Sequence, residues 1–273
     1  MPEKPEVITV ANKLKTKLVN RKITSVDVYY DKIIDYPSVK EFEKNIVNET
    51  IHDITTRGKW IVMELDKYYL LFHLRMEGKF FFRTKNDEKN KHEHVFFNLD
   101  NDTQLRFADV RKFGRIKLIE KDKINSMPPY TELGLEPWDK SLTSEYLKEK
   151  YAYKSLPIKS VLLDQSIITG IGNIYADEIL FLSKINPLTK SKDLTDKNRK
   201  DIIKNTIEVL DKAIEEGGTT IRSYTSEQGV TGKFQNNLYV HQRETEPCRI
   251  CNSKIIKIKV GGRGTYYCPK CQK

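Results

Sequence analysis

The 273-residue chain is 38% hydrophobic and 10% aromatic, enough apolar content to build a core and too much for a disordered chain. Its 48 Lys and Arg against 38 Asp and Glu leave a formal charge of +10 and a pI near 9.2, a balance that suits an anionic partner and is silent on fold. No apolar run approaches the roughly 18–20 residues that span a bilayer. Glu3, Lys4 and Glu6 interrupt the start, so no signal peptide is read and a cytoplasmic protein is expected.

Taken in chain order, Val7, Val10, Ala11, Leu14 and Leu18 recur at three and four residues and predict a helix, with Pro5 in its first turn. From Ile23 to Ile119 the texture becomes β-rich. Strands are expected at Ile23–Tyr29, Ile51–Arg57, Trp60–Leu65, Tyr69–Leu74, Lys79–Arg83, Val95–Leu99, Gln104–Phe107 and Arg115–Ile119. Gly58, Gly78, Asn101-Asp102 and Gly114 separate them, a pattern that suits an antiparallel β-sandwich or barrel, and Thr84–Glu93 reads as an exposed loop. Pro128-Pro129 and Gly134–Pro137 mark a linker. Helices follow at Ile174–Leu182, closed by Pro187, and from about Thr195 to Glu216, stopped by Gly217-Gly218. The expected architecture is α+β and multidomain: residues 1–133 as a β-sandwich with flanking helices, 134–153 as linker, 154–235 helical, and 236–273 a cysteine-bearing hairpin.

The only cysteines, Cys248, Cys251, Cys268 and Cys271, form two C-x-x-C pairs sixteen residues apart, the spacing of a tetrahedral zinc ribbon. Two redox pairs or two disulfides would be the alternative, which a cytoplasmic chain without other cysteines disfavours. Ile255–Val260, Gly261–Gly264 and Thr265–Tyr267 read as the hairpin that folds one pair onto the other. Four thiolates close the coordination sphere, so the one Zn²⁺ is expected to be structural. This end is also the most basic: Arg243–Lys273 hold eight Lys or Arg against two Glu, a phosphate-binding signal.

Met1-Pro2 is the unusual start. Removal of the initiator methionine would leave a secondary amine with a pKa near 8, against about 10.4 for lysine, so much of it would be neutral at pH 7. The positive end of the following helix should lower it further. Such an amine can attack a sugar C1′ and give a charged iminium, an electron sink for elimination.

Residues 1–7, Met-Pro-Glu-Lys-Pro-Glu-Val, resemble the opening of formamidopyrimidine-DNA glycosylases. Leu162–Gln165 with Gly170–Glu178 resembles that family's helix–two-turn–helix signature, Gly217–Arg222 the start of its base-covering loop, and Glu246–Cys271 its zinc finger. The resemblance implies a bifunctional enzyme that excises oxidised purines, 8-oxoguanine and formamidopyrimidines, from double-stranded DNA and nicks the strand by β,δ-elimination. Pro2 would be the Schiff-base nucleophile, Glu3 the general acid, and Lys59 a phosphate ligand that serves in elimination. Asn173 and Arg263 would grip phosphates beside the lesion. Met76 would fill the gap left by the flipped base, and Arg111 and Phe113 would complete that wedge against the orphaned partner base. His92 and Lys154 match further DNA contacts in less distinctive contexts. A bacterial, monomeric protein with damaged DNA as its partner is expected. Lys4 departs from the usual apolar residue, and Val110 from a frequent proline. Two rivals remain: an oxidised-pyrimidine glycosylase of the same fold, separable by a substrate panel, and a non-catalytic zinc-dependent DNA-binding protein, which would need neither Pro2 nor Glu3.

Overall fold

Helix α1 (Lys4–Leu18) buries the whole stripe of Val7, Val10, Ala11, Leu14 and Leu18, as its spacing requires. At its start the Glu6 Oε2 accepts the Glu3 N–H at 2.8 Å, satisfying a donor that the helix itself leaves unpaired. In the computed structural model, which describes residues 1–219 and 232–273, the chain forms two units. One is Met1–Thr131 with Thr219 and Gly232; the other is Glu132–Gly218 with Lys233–Lys273.

The first unit holds two sheets. Strands β1 (Ile23–Val28), β7 (Glu93–Leu99), β8 (Thr103–Ala108) and β6 (Lys79–Thr84) lie in the order β1-β7-β8-β6. Strands β2 (Ile34–Tyr36), β9 (Arg115–Glu120), β5 (Tyr68–His73), β4 (Trp60–Glu64) and β3 (Asp53–Arg57) form the other, in the order β2-β9-β5-β4-β3. Aromatic rings join the sheets: Phe72 of β5 meets Phe80, Phe97 and Phe107 at centroid distances of 5.0, 5.7 and 5.8 Å. Burying each such ring contributes on the order of 1.5–3 kcal/mol.

Two elements here differ from expectation. Strand β2 pairs parallel with β9, so the sandwich is not wholly antiparallel, and at three residues β2 is too short to show alternation. Helix α2 (Val39–Ile46) also goes unread, although Ser38 and Glu41 form a capping box whose Ser-x-x-Glu pattern is visible in the sequence. Of the expected loop 84–93, residues 84–91 are exposed while Glu93 is buried at the start of β7, and the segment is pinned by Arg106, which is 1% exposed. Arg106 places all five N–H donors, on Gln104 Oε1, Glu93 Oε2 and the carbonyls of Thr84, Asp87 and Glu88, at 2.8–3.1 Å.

The second unit is helical with a β-hairpin. The segment expected as linker carries α3 (Ser144–Tyr151), whose Leu147 and Tyr151 are buried in this unit's core. Two buried apolar anchors in eight residues are too few to read as a period. Helix α4 (Ile158–Leu162) leads through two turns into α5 (Asn173–Leu182), and α6 (Asp196–Glu215) packs on α5. Gln165 sets the turns: its Nε2 donates to the Leu163 and Ile171 carbonyls and its Oε1 accepts the Gly170 N–H, where the backbone runs at φ 93°.

Helix α5 is anchored by buried ions. Asp177 takes Lys159 Nζ at 2.5 Å on one oxygen and lies 2.7 Å from His241 Nδ1 on the other. Glu178 accepts the N–H groups of Tyr239, Val240 and His241 at 2.7–3.0 Å, although burial pushes its carboxyl toward the protonated form. The hairpin β10 (Ile256–Val260) and β11 (Arg263–Tyr267) turns at Gly261 and Gly262, with φ of 54° and 79°. A Cβ on Gly261 would stand 2.5 Å from Ser160 Oγ, so only glycine lets the turn approach α4 this closely.

Candidate active site and nucleic-acid contacts

The start of the chain is buried. Pro2 lies in the protein interior and Glu3 is 3% exposed, both just ahead of α1, which packs on β3 and β4. The free amine of the full chain belongs to Met1, and its pKa falls below the ordinary 8.0, chiefly through burial and also through the charge of Lys59. Glu3, Glu6 and Glu77 oppose that shift. Lys59, Glu3, Glu6 and Glu77 therefore all sit within electrostatic range of the terminal amine. Lys59 is delivered by the β3–β4 turn, where Gly58 adopts φ 55°, and is 6% exposed. Lys4, the residue that departs from the family pattern, is buried, and its Nζ donates to Thr56 Oγ1 at 3.0 Å. It thus ties the helix start to the strand that leads into Lys59. His73 at the end of β5 is held neutral, with a pKa of about 3, by burial first and then by Arg75 and Lys59. Its Nδ1 accepts the Arg75 N–H at 3.0 Å.

A second group of the expected residues gathers at one end of the β6–β8 pair. Met76, half-buried, lies in the turn closed by the Gly78 N–H on the Leu74 carbonyl. The Lys79–Ala108 pairing sets that turn beside the loop 109–114. There Arg111 and Phe113 are exposed, with the guanidinium 4.8 Å from the ring centroid. His92 adjoins the same loop, since its carbonyl accepts the Asp109 N–H at 3.0 Å.

In the second unit, Asn173 is the first residue of α5 and its Nδ2 donates to the Gly264 carbonyl at 3.0 Å. The bond brings Asn173 next to the exposed Arg263, the first residue of β11. Asn173 is not the cap, which is Gly172, and its buried Oδ1 accepts no hydrogen bond among the described residues. Lys154 pairs with Asp164 at 3.0 Å, both side chains about one-third exposed. The four cysteine sulfurs lie within 4.8 Å of one another, with Cys248–Cys271 at 3.9 Å and Cys251–Cys268 at 3.4 Å. Four sulfurs at about 2.3 Å from one zinc stand roughly 3.8 Å apart, so the set fits a tetrahedral ion.

The sequence assigns no role at the site to Lys4, Glu6, Glu77 or Asp109. Glu6 nevertheless accepts the Thr219 N–H on Oε1 at 2.8 Å and the Thr219 Oγ1 at 3.1 Å. The covering-loop match extends past Thr219 into residues that lie outside those described.

Comparison with known proteins covers the whole chain. Residues 1–116 match the formamidopyrimidine-DNA glycosylase N-terminal domain, 133–225 the H2TH domain of the same enzymes, and 246–273 the zinc finger found in FPG and IleRS. The formamidopyrimidine-DNA glycosylase of Oceanobacillus iheyensis is 44% identical over 273 residues, covering 100% of this chain and 98% of the relative. That of Bacillus subtilis is 43% identical over 276 residues, at 100% and 99%. Among solved structures, a Lactococcus lactis FPG mutant with Fapy-dG DNA superposes at a TM-score of 0.93 with 38% identity, each chain covered at 100%. The Lactococcus lactis Fpg with abasic-site DNA superposes at 0.92 with 38% identity and 99% of each chain covered.

Proposed function

The chain belongs to the formamidopyrimidine-DNA glycosylase family, and from that premise we propose that it excises oxidised purines from duplex DNA through Pro2 and then cuts the strand. The observation that carries this reading is the burial of Pro2, Glu3 and Lys59 around the start of the chain, where desolvation and then Lys59 lower the pKa of the Met1 amine against the opposing charge of Glu3. Once Met1 is removed, the buried Pro2 nitrogen becomes the chain's terminal amine, and its neutral form is the one that can attack carbon. Extrusion of the damaged nucleotide costs a few kcal/mol of unstacking, which Met76, Arg111 and Phe113 offset by filling the stack.

Pro2 then attacks C1′ as the base departs, and Glu3 supplies the proton that the opened sugar or the leaving base requires. The resulting iminium acidifies the sugar at C2′. Lys59, buried beside the amine, holds a flanking phosphate during the eliminations that release first the 3′ and then the 5′ side. Asn173 and Arg263 grip the backbone next to the lesion, with α5's N-terminal amides adding to the phosphate site, and His92 and Lys154 extend the contacts. Lys154 exchanges Asp164 for phosphate. Cys248, Cys251, Cys268 and Cys271 would hold one zinc, which supplies structural closure of the hairpin that bears Arg263 and no chemistry at the sugar.

A wider lesion range is favoured by one comparison, since a Lactococcus lactis FPG complex with DNA containing an oxidised pyrimidine superposes at a TM-score of 0.91 with 38% identity. Borohydride reduction during turnover tests both readings. A covalent adduct is expected with 8-oxoguanine or formamidopyrimidine duplexes, mapping by mass spectrometry to the N-terminal peptide and vanishing after acetylation of the terminus. An adduct on another peptide, or undiminished incision by the acetylated protein, overturns the mechanism. Preferential trapping on oxidised pyrimidines overturns only the substrate class.

A further inference from the structure

Residues 109–114 leave β8 and enter β9 with Val110, Arg111, Lys112 and Phe113 exposed. An exposed loop of this length has few contacts of its own to fix its shape. This one is fixed from inside by Asp109, which is 1% exposed. Asp109 Oδ1 accepts the Arg111 N–H at 2.9 Å, and Oδ2 accepts the Phe113 and Gly114 N–H groups at 2.9 and 2.6 Å. A carboxylate accepts without donating and has room for about four donors, so three amides converge on it with no mismatch.

The backbone of Asp109 is tied as well. Its N–H donates to the His92 carbonyl at 3.0 Å, and its carbonyl lies 2.9 Å from His94 Nε2. Lys112 takes φ 58° to close the loop. Gly114 completes it, because a Cβ there would lie 2.8 Å from the Phe107 ring and 3.2 Å from Asp109 Oδ2.

We propose that Asp109 is a positioning residue for lesion recognition: its carboxylate presets Arg111 and Phe113 as one stacked unit for the gap opposite the flipped base, and its backbone N–H ties that unit to the His92 carbonyl. The proposal rests on the reading of Arg111 and Phe113 as the wedge. What the loop recognises is the unpaired base and broken stack of a duplex; the sugar chemistry at Pro2 does not depend on it. Preset geometry means that the loop need not be ordered at the moment of binding, which is where its contribution to affinity arises.

Asp109→Asn tests this at constant side-chain size. One acceptor becomes an NH₂ donor, so either the Arg111 amide or the Phe113 and Gly114 pair faces a donor. The variant is compared with wild type, Arg111→Ala and Phe113→Ala on two substrates: duplex DNA carrying 8-oxoguanine, and single-stranded DNA with an abasic site, which has no opposing strand to wedge. On the duplex, kcat/KM for Asp109→Asn is expected to fall roughly tenfold or more, the equivalent of one lost charge-assisted hydrogen bond, while borohydride trapping on the single strand keeps its wild-type rate.

Equal losses on both substrates would reduce Asp109 to a residue of general stability and overturn the proposal, as would wild-type excision from the duplex. If Arg111→Ala and Phe113→Ala themselves excise normally from the duplex, the wedge reading fails, and the proposal with it, whatever Asp109→Asn does. Hydrogen exchange on the unsubstituted, DNA-free protein gives a check independent of any variant's folding. The Phe113 and Gly114 amides should exchange slowly, and exchange at the rate of an unstructured loop overturns the proposal.

Discussion

His73 shows how much a single side chain can hide from sequence. In a run of His73-Leu74-Arg75-Met76 it looks like one more polar residue near a turn, yet it is 8% exposed, edge-on to Trp60 at 4.9 Å, and accepts from the Arg75 amide. Its pKa drops from 6.5 to about 3 because burial, and then Arg75 and Lys59, disfavour the imidazolium. The unfolded chain binds a proton below pH 6.5 that the native chain refuses, so native stability is intact above 6.5 and declines as pH falls toward 3. From pH 6.5 to 5 the loss should reach roughly 2 kcal/mol. Urea denaturation at pH 7 and pH 5 should show that loss in wild type and a smaller one in His73→Gln; identical pH slopes would contradict the assignment. Pro2, Glu3, Lys59 and Arg263 could be nominated from sequence because they stand in distinctive local strings. Lys4, Glu77 and Asp109 could not, since what marks them is burial or a partner far along the chain, as with Lys4 and Thr56.

Among the elements, long periodic segments were legible and short ones were not. Helices α1, α5 and α6 stand where the apolar repeat puts them, and all eight expected strands lie within two residues of the observed limits, the largest differences being at the starts of β3 and β7. Elements β2, α2, α3 and α4, of three to eight residues, carry too few apolar positions to outweigh their polar neighbours. Helix α5 illustrates what the pattern cannot show. Asp177 and Glu178 of its signature are acidic residues, yet each is only 1% exposed. They fasten the helix to Lys159 and to the 239–241 backbone ahead of the zinc hairpin. Lys159→Met would remove the ammonium partner of the buried Asp177 and leave it the His241 ring at 2.7 Å, at a cost of roughly 3–5 kcal/mol. Thermal unfolding should reveal a substantial drop in midpoint, whereas an unchanged midpoint would mean that the pair adds nothing to the fold.

At the scale of the whole molecule, charge makes the clearest statement. An excess of +10, over half of it between Arg243 and Lys273, is an electrostatic footprint for phosphates. Lesion-DNA affinity should fall with log salt at a slope of about −0.9 per phosphate contact, and Arg263→Ala should shallow that slope by about 1. A salt-independent Kd would remove phosphate binding from the account. Composition, the Met-Pro start, the cysteine spacing and the four family signatures are local properties of the chain, and by themselves they determined the family, the order of its parts and the residues proposed for chemistry. Only the tertiary structure decided the protonation state of His73, the parallel edge at β2, the burial of Lys4 and Asp177, and the carboxylate that holds the 109–114 loop. The reason is physical: desolvation and hydrogen-bond convergence depend on which distant segments meet, and a local string does not record the dielectric in which it will be placed.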